Sequence, residues 1–185
     1  MSIQHVVLSM LLMVASGAAL AETPTVSSPL PPLSITDRGE LKLADNEFSY
    51  TPWGSEQNPG KVHIVQYFGG TKSDSEMFKP FTNLLQETFG SGTYHVTTII
   101  NLDAALWGTS GFVVSEVKES KREFPLSTIV LDEEGTGASQ WQLGKKGAGL
   151  IILDDQGVIQ YFTTEVMSAD EMSASLELVR SHIDS

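Results

Sequence analysis

The sequence predicts an α/β fold in which a central mixed β-sheet carries helices on both faces. Three apolar runs predict the core strands, at Val62–Phe68, Thr97–Leu102 and Leu150–Leu153. Their short length and their content of β-branched and aromatic side chains are typical of strands. Because the runs are apolar almost throughout, both faces of the sheet are expected to be covered.

The segment after the first strand predicts a helix. Ser73 and Glu76 fit a capping box at its start, and apolar residues then recur at helical spacing up to Phe89. Pro80 lies inside this helix, where it removes one hydrogen bond and is expected to kink the axis. The glycines at positions 90 and 92 predict the helix end.

Two more helices are predicted downstream. Phe112–Phe124 is expected to form a surface helix that Pro125 ends. Ser168 and Glu171 form a second capping box, which opens a final helix. Its apolar residues make one stripe, which favours packing of this helix against the sheet: Met172, Leu176, Val179 and Ile183.

Turn chemistry predicts two hairpins and one further strand. Gly157 ends a polar turn after Leu150–Asp154, so this strand and the one that follows are expected to pair antiparallel. Ser127–Asp132 predicts another strand of similar shape. At the N-terminal end, the segments around Ile35 and Leu41 are expected to form an added β-hairpin around Asp37-Arg38-Gly39.

From Ile35 to about Arg180 the chain resembles the YtfJ family of bacterial periplasmic proteins. The segments Ile35–Leu41 and Trp141–Leu143 carry this resemblance most clearly. More widely, the chain is similar to the peroxiredoxin and TlpA-like (cytochrome-maturation) branch of the thioredoxin superfamily. The resemblance implies a thioredoxin-like fold with an N-terminal β-hairpin extension.

The positions that hold the active-site cysteines of thioredoxins are occupied differently here. Counting back from Pro80 by the thioredoxin spacing places Ser75 and Lys72 at those positions, and the chain contains no cysteine. Thiol–disulfide exchange and thiol peroxidase chemistry need a sulfur nucleophile, so both are excluded. The proline that faces the cysteines in that branch is replaced as well, since counting back from Gly157 places Ala148 there.

Composition excludes further classes of protein. The net charge of −12, from 11 Lys and Arg against 23 Asp and Glu, argues against nucleic-acid binding. The absence of cysteine excludes cysteine-ligated zinc, iron–sulfur clusters and c-type haem. The carboxylate pairs Glu133-Glu134 and Asp154-Asp155 fit ordinary turns. We therefore expect no metal and no cofactor.

The N-terminal segment predicts export to the periplasm. Residues 1–21 are apolar and end in an A-x-A cleavage site, so the mature chain is expected to begin at Glu22 and to leave the membrane. Because this segment has no Lys or Arg, an uncleaved membrane anchor is the alternative. Residues 22–33 are expected to form an extended proline-rich lead-in, and residues 34–185 the thioredoxin-like domain.

The candidate binding site is the turn after the first core strand. Free N–H groups and a lysine at such a turn can hold a small anion or the carboxylate of a periplasmic protein partner, although simple helix capping is the alternative. The phosphate-loop spacing is absent. The site consists of the turn and the residue opposite it: Gly70, Thr71, Lys72, Ser73, Asp74, Ser75 and Ala148.

Two classes of function follow from these observations. The first is a redox-inactive binding module of the periplasm. The second is an enzyme of non-thiol chemistry built from dispersed Asp, Glu, His and Lys side chains. No nucleophile, base and orienting partner can be assembled from the sequence, which favours the first class. Trp107 is either an exposed recognition residue or a packing residue at the sheet edge.

Overall fold

A computed structural model describes residues 21–57, 59–90, 92–106, 108–144 and 147–184. The signal peptide predicted over residues 1–21 lies outside these residues except for Ala21, and Trp107 lies outside them too. The elements in chain order are β1 (Ser34–Ala44), β2 (Glu47–Gly54), β3 (His63–Gly69), α1 (Lys72–Ser75), α2 (Lys79–Thr88), β4 (His95–Asn101), α3 (Ser110–Glu123), β5 (Thr128–Asp132), α4 (Thr136–Gln140), β6 (Gly149–Leu153), β7 (Ile159–Thr163) and α5 (Ala169–Ile183).

The strands form one mixed sheet in the order β2-β1-β5-β4-β3-β6-β7. The three central strands β3, β4 and β5 run parallel to one another, and the other neighbouring strands pair antiparallel. Strand β3 lies between β4 and β6, and it is buried on both faces apart from the half-buried Gln66. The predicted central mixed sheet is confirmed.

Helices cover both faces of the sheet. On one face, α2, α3 and α5 pack against a cluster that includes Phe81, Val117 and Val179. On the other face, α4 and residues 30–35 cover a second cluster around Tyr67 and Trp141. This layering confirms the predicted architecture. The short helix α4, which we did not predict, completes the second layer.

The helix predicted after β3 is divided into two helices. Thr71, not Ser73, caps α1, because its hydroxyl accepts a hydrogen bond from the backbone N–H of Asp74 at 3.2 Å. The chain then leaves helical geometry before Phe78, the N-cap of α2, and Pro80 occupies the first turn of α2. A proline is tolerated there because the first-turn N–H groups need no partner within the helix. The chain therefore has a break between α1 and α2 in place of the kink expected at Pro80.

The N-terminal hairpin exists, but its turn lies elsewhere than predicted. Strands β1 and β2 are joined at Asp45-Asn46, whose φ values of 51° and 66° are those of a tight hairpin turn. The Asp37-Arg38-Gly39 segment is a bulge within β1, where the pairing register shifts. At Gly39 (φ 77°) a Cβ atom would lie 2.2 Å from the Thr51 carbonyl oxygen, so only glycine fits the bulge.

The C-terminal half follows the sequence closely. Strands β6 and β7 form the predicted hairpin. Ser168 and Glu171 make both hydrogen bonds of the predicted capping box of α5. The apolar stripe of α5 packs on the sheet as expected. In the described part of the chain, no helix combines the length and the apolar character needed to cross a bilayer.

Candidate functional site

Helices α2 and α3 leave a groove of about 790 Å³ between them. Its floor is the exposed part of strands β3 and β4, where Gln66 and Thr98 are half-buried. The Gln66 Nε2 atom donates a hydrogen bond of 2.7 Å to the Thr98 hydroxyl. The carbonyl oxygen and the second N–H of Gln66 remain for a ligand. The groove therefore has a polar floor with hydrogen-bonding capacity.

One end of this groove is the turn that the sequence singled out. Gly70 follows β3 and donates a backbone hydrogen bond of 2.8 Å to the Asn101 carbonyl, which brings the turn against the end of β4. Gly70, Thr71, Lys72 and Ser75 line the groove here. Lys72 is exposed, and among the described residues nothing forms an ion pair or hydrogen bond with its ammonium group.

Three of the predicted site residues lie outside the groove lining. Asp74 turns back to the start of α1, where it accepts a hydrogen bond of 2.6 Å from the Thr71 hydroxyl. Ser73 is exposed beside it. Ala148 is 2% exposed and packs in the core at the start of β6. The structure therefore extends the predicted site along the sheet face rather than toward Ala148.

Exposed apolar side chains flank the α3 wall of the groove at both of its ends. Leu106 is 69% exposed and Phe112 71% exposed at the end near Lys72. Phe124 and Leu126 are 41% and 71% exposed at the opposite end, where a second pocket continues the groove. Aligned apolar exposure of this kind marks interaction surfaces more often than scattered single residues do. Sequence reasoning missed this wall, since α3 reads as an ordinary surface helix.

The charges of the groove are separated. Lys72 lies at one end, after the carboxyl end of β3. Glu116 and Glu123 lie on the α3 wall, and among the described residues neither carboxylate has an ion-pair partner. Lys79 also lines the groove, but Glu76 holds its ammonium group at 2.8 Å. Glu123 lines the end opposite Lys72 together with Lys61, whose ammonium group donates to the Gly92 carbonyl at 2.8 Å.

A buried polar network lies on the opposite face of the sheet. Asp132 is fully buried and accepts three hydrogen bonds, from the Tyr67 hydroxyl at 2.7 Å and from the backbone N–H groups of Thr136 at 2.9 Å and Gly137 at 2.8 Å. Burial and the neighbouring Asp132 carboxylate raise the pKa of Tyr67. Because Asp132 holds the start of α4 and is closed to solvent, this network stabilises the fold.

Two histidines, the buried His63 and the half-buried His95, lie at the amino ends of β3 and β4. The Nε2 atom of His63 is 2.8 Å from the Thr97 hydroxyl, and that of His95 is 3.0 Å from the Thr128 hydroxyl. Burial, and next the charge of His95, lowers the pKa of His63 to about 3. Burial also lowers the pKa of His95. No group of three or more His, Asp or Glu residues among those described is placed to hold a metal ion.

The class of this protein is defined by its fold, which is thioredoxin-like, in a chain that contains no cysteine. The chain is similar to a putative thiol:disulfide interchange protein DsbE from Chlorobium tepidum, with a TM-score of 0.57 and 13% identity over 87% of this chain and 99% of that chain. It is also similar to Mycobacterium tuberculosis AhpC, with a TM-score of 0.52 and 15% identity over 86% of this chain and 98% of that chain. At such identities the likeness shows the fold alone.

The family follows from the sequence comparisons. The family model described as "Bacterial protein of unknown function (YtfJ_HI0045)" matches residues 25–182, and the chain belongs to this family. "Uncharacterized protein YtfJ" of Escherichia coli (strain K12) is 32% identical over 152 residues, which cover 82% of this chain and 83% of that protein. An uncharacterized protein of Haemophilus influenzae is 29% identical over 165 residues, 89% and 90% of the two chains.

Proposed function

We propose that this protein is a redox-inactive thioredoxin-fold binding protein of the periplasm, which holds its ligand in the groove between α2 and α3. The observation that carries this proposal is the groove itself, with a volume of about 790 Å³, a polar floor and exposed apolar side chains along one side. At one end lies Lys72, whose ammonium group has no partner within the described part of the chain. Its volume lies within the range of about 300–1,000 Å³ that ligand sites occupy.

The chemistry of the groove supports binding rather than catalysis. The chain offers no sulfur nucleophile. The Ser75 hydroxyl donates to the Lys72 carbonyl at 2.9 Å, so its proton is engaged by the backbone of its own helix and not by a base. Among the described groove residues we find no nucleophile, base and orienting partner in mutual hydrogen-bond contact.

The contacts of the lead-in are compatible with cleavage after Ala21, which would remove one hydrogen bond, from Gln142 Nε2 to the Ala21 carbonyl at 3.1 Å. The backbone N–H of Glu22 donates to the Gln140 carbonyl at 2.8 Å, and the Trp141 indole N–H donates to the Pro31 carbonyl at 3.1 Å. The segment from Glu22 onward thus contacts the domain. A chain that begins at Glu22 keeps these contacts.

Intact-mass measurement tests the location. We expect the protein recovered from the periplasmic fraction to have the mass of a chain that begins at Glu22. A full-length mass in the membrane fraction would contradict the proposal, because it would show that residues 1–21 remain as an anchor.

A ligand screen by NMR tests the binding function. We expect members of a mixed panel of short peptides, carboxylic acids and inorganic phosphate to shift the signals of Gln66, Thr98 and Phe112. The variant Thr98→Trp fills the floor and is expected to abolish the shifts. Thr51→Trp, on the exposed edge strand β2, is the matched control and is expected to retain them. A panel that leaves the groove unshifted, or a compound that is turned over, would overturn the proposal.

A further inference from the structure

We infer that the occupant of the groove is a short peptide in extended conformation, with its C-terminal carboxylate at Lys72 and its amino terminus toward Glu123. This inference rests on the proposed binding function and names the class of ligand. Three features of the groove support it: its length, the separation of its charges and the chemistry of its two long sides.

The length of the groove fits about five residues. Phe112 lines the end near Lys72, and Glu123 lines the opposite end. At a rise of about 1.5 Å per helical residue these two positions on α3 are about 16 Å apart. An extended chain rises about 3.3 Å per residue, so a pentapeptide spans this distance. The floor strands β3 and β4 run parallel to each other.

The charge pattern favours a ligand with opposite charges at its two ends. The Lys72 ammonium, which has no ion-pair partner among the described residues, suits a single carboxylate. The Glu123 carboxylate at the opposite end, likewise without an ion pair in the described part of the chain, suits an amino terminus. A polyanion fits poorly, because the chain carries a net charge of −12. A zwitterionic peptide has the required charges at the required separation.

The chemistry of the two sides favours a peptide over a lipid or a simple anion. Phe112 and Leu106 offer apolar contact to side chains. Gln66 and Thr98 on the floor, with Asn83 on α2, offer hydrogen bonds to peptide groups. A fatty acid would cover these polar groups without satisfying them, at a cost in free energy. Inorganic phosphate would leave the apolar wall exposed.

Calorimetry and NMR with defined probes test the inference. The probes are a library of synthetic pentapeptides with free termini and Leu or Phe at alternate positions, together with decanoate and inorganic phosphate. We expect the strongest binder to shift Gln66 and Thr98, and its C-terminal amide to bind at least about tenfold more weakly, as the loss of a charge-assisted contact requires. N-terminal acetylation is expected to weaken binding to a smaller extent.

The variant Lys72→Gln identifies the contact. It is expected to bind the free acid as weakly as the wild type binds the amide, and to lose the distinction between acid and amide. Lys79→Gln is the matched control, since Glu76 already holds Lys79, and it is expected to keep the distinction. Thermal melting confirms that both variants fold.

The outcomes separate the inference from the proposed function. If decanoate or phosphate shifts the groove residues and the pentapeptides do not, the binding function stands and the peptide inference is overturned. If the amide binds as tightly as the acid, the assignment of the carboxylate to Lys72 is wrong. If no probe shifts the groove, both the inference and the binding function fall.

Discussion

The two faces of the sheet use their polar groups in different ways. On the α4 face, Asp132 is fully buried, and Tyr67 together with two backbone N–H groups engages its oxygens. On the groove face, Gln66 and Thr98 are half-buried and keep unused hydrogen-bonding capacity, and Lys72 is unpaired among the described residues. One face is closed by internal partners, and the other is open to external ones.

This difference separates stability from binding. A buried polar group that loses its partners costs the free energy of its desolvation, so substitutions on the closed face change the free energy of unfolding. A half-exposed polar group bonds to water when no ligand is bound, so substitutions on the open face are expected to change the affinity for a ligand and not the stability of the fold. The predictions below test this separation, beginning with the largest expected effect.

The substitution Asp132→Ala is expected to destabilise the fold most. It leaves the Tyr67 hydroxyl and the N–H groups of Thr136 and Gly137 buried without an acceptor, which we expect to lower the free energy of unfolding by about 3–5 kcal/mol. Urea denaturation measures the loss. Tyr67→Phe is the control and is expected to cost only about 1 kcal/mol, because Asp132 retains both backbone donors. Equal losses in the two variants would contradict the role of Asp132.

Acid is expected to destabilise the fold through His63. Its pKa in the folded state is about 3, because burial and the charge of His95 disfavour the imidazolium form, whereas an unfolded histidine titrates near pH 6.5. Between these values the unfolded state binds more protons, so the free energy of unfolding decreases as the pH is lowered, by up to about 1.4 kcal/mol per pH unit.

Urea denaturation between pH 7 and pH 5 measures this slope in a range where most carboxylates stay ionised. His63→Gln is expected to flatten the slope, although His95, whose pKa is also lowered, retains part of it. An unchanged slope in His63→Gln would show that another group carries the acid sensitivity.

The substitution Gly137→Ala tests how tightly the closed face is packed. A Cβ atom at Gly137 would lie 2.4 Å from the Tyr67 ring, so we expect overpacking to cost about 1–3 kcal/mol. Gly111→Ala is the matched control within a helix on the open face. Nothing lies within 4 Å of a Cβ there, and the substitution is expected to stabilise the protein by about 0.5–1 kcal/mol. Calorimetric melting measures the stability of both variants. Destabilisation by both substitutions would contradict the difference in packing between the two faces.

Periodic patterns predicted the fold because they are local signals of burial. The apolar run of β3 reflects burial on both faces of the strand, and the apolar stripe of α5 reflects burial of one side of the helix. The groove has no such signal. It arises from the gap between α2 and α3, and the width of that gap depends on how each helix packs against distant strands. The exposed Phe112 reads in the sequence as an apolar residue of an ordinary helix.

The two capping boxes show the limit of local motifs. Ser168 and Glu171 form the predicted box, because no competing cap precedes them. Ser73 and Glu76 have equivalent chemistry, but Thr71 and Asp74 lie two residues earlier. The Gly70 hydrogen bond to Asn101 fixes the chain at that earlier point, so the helix begins there. A contact that is distant in sequence decided between two locally plausible starts.

The smallest expected effect tests this choice of cap. Thr71→Ala removes the hydroxyl that accepts from the Asp74 N–H, and it is expected to cost about 1 kcal/mol of unfolding free energy. Ser73→Ala is the matched control, because it removes an exposed hydroxyl two residues after Thr71. Its unfolding free energy is expected to stay within about 0.5 kcal/mol of the wild-type value. Ser168→Ala supplies the reference value for a full capping box. Chemical denaturation measures the unfolding free energies of the three variants. If Ser73→Ala lost as much stability as Ser168→Ala, Ser73 and not Thr71 would be the residue that caps the helix.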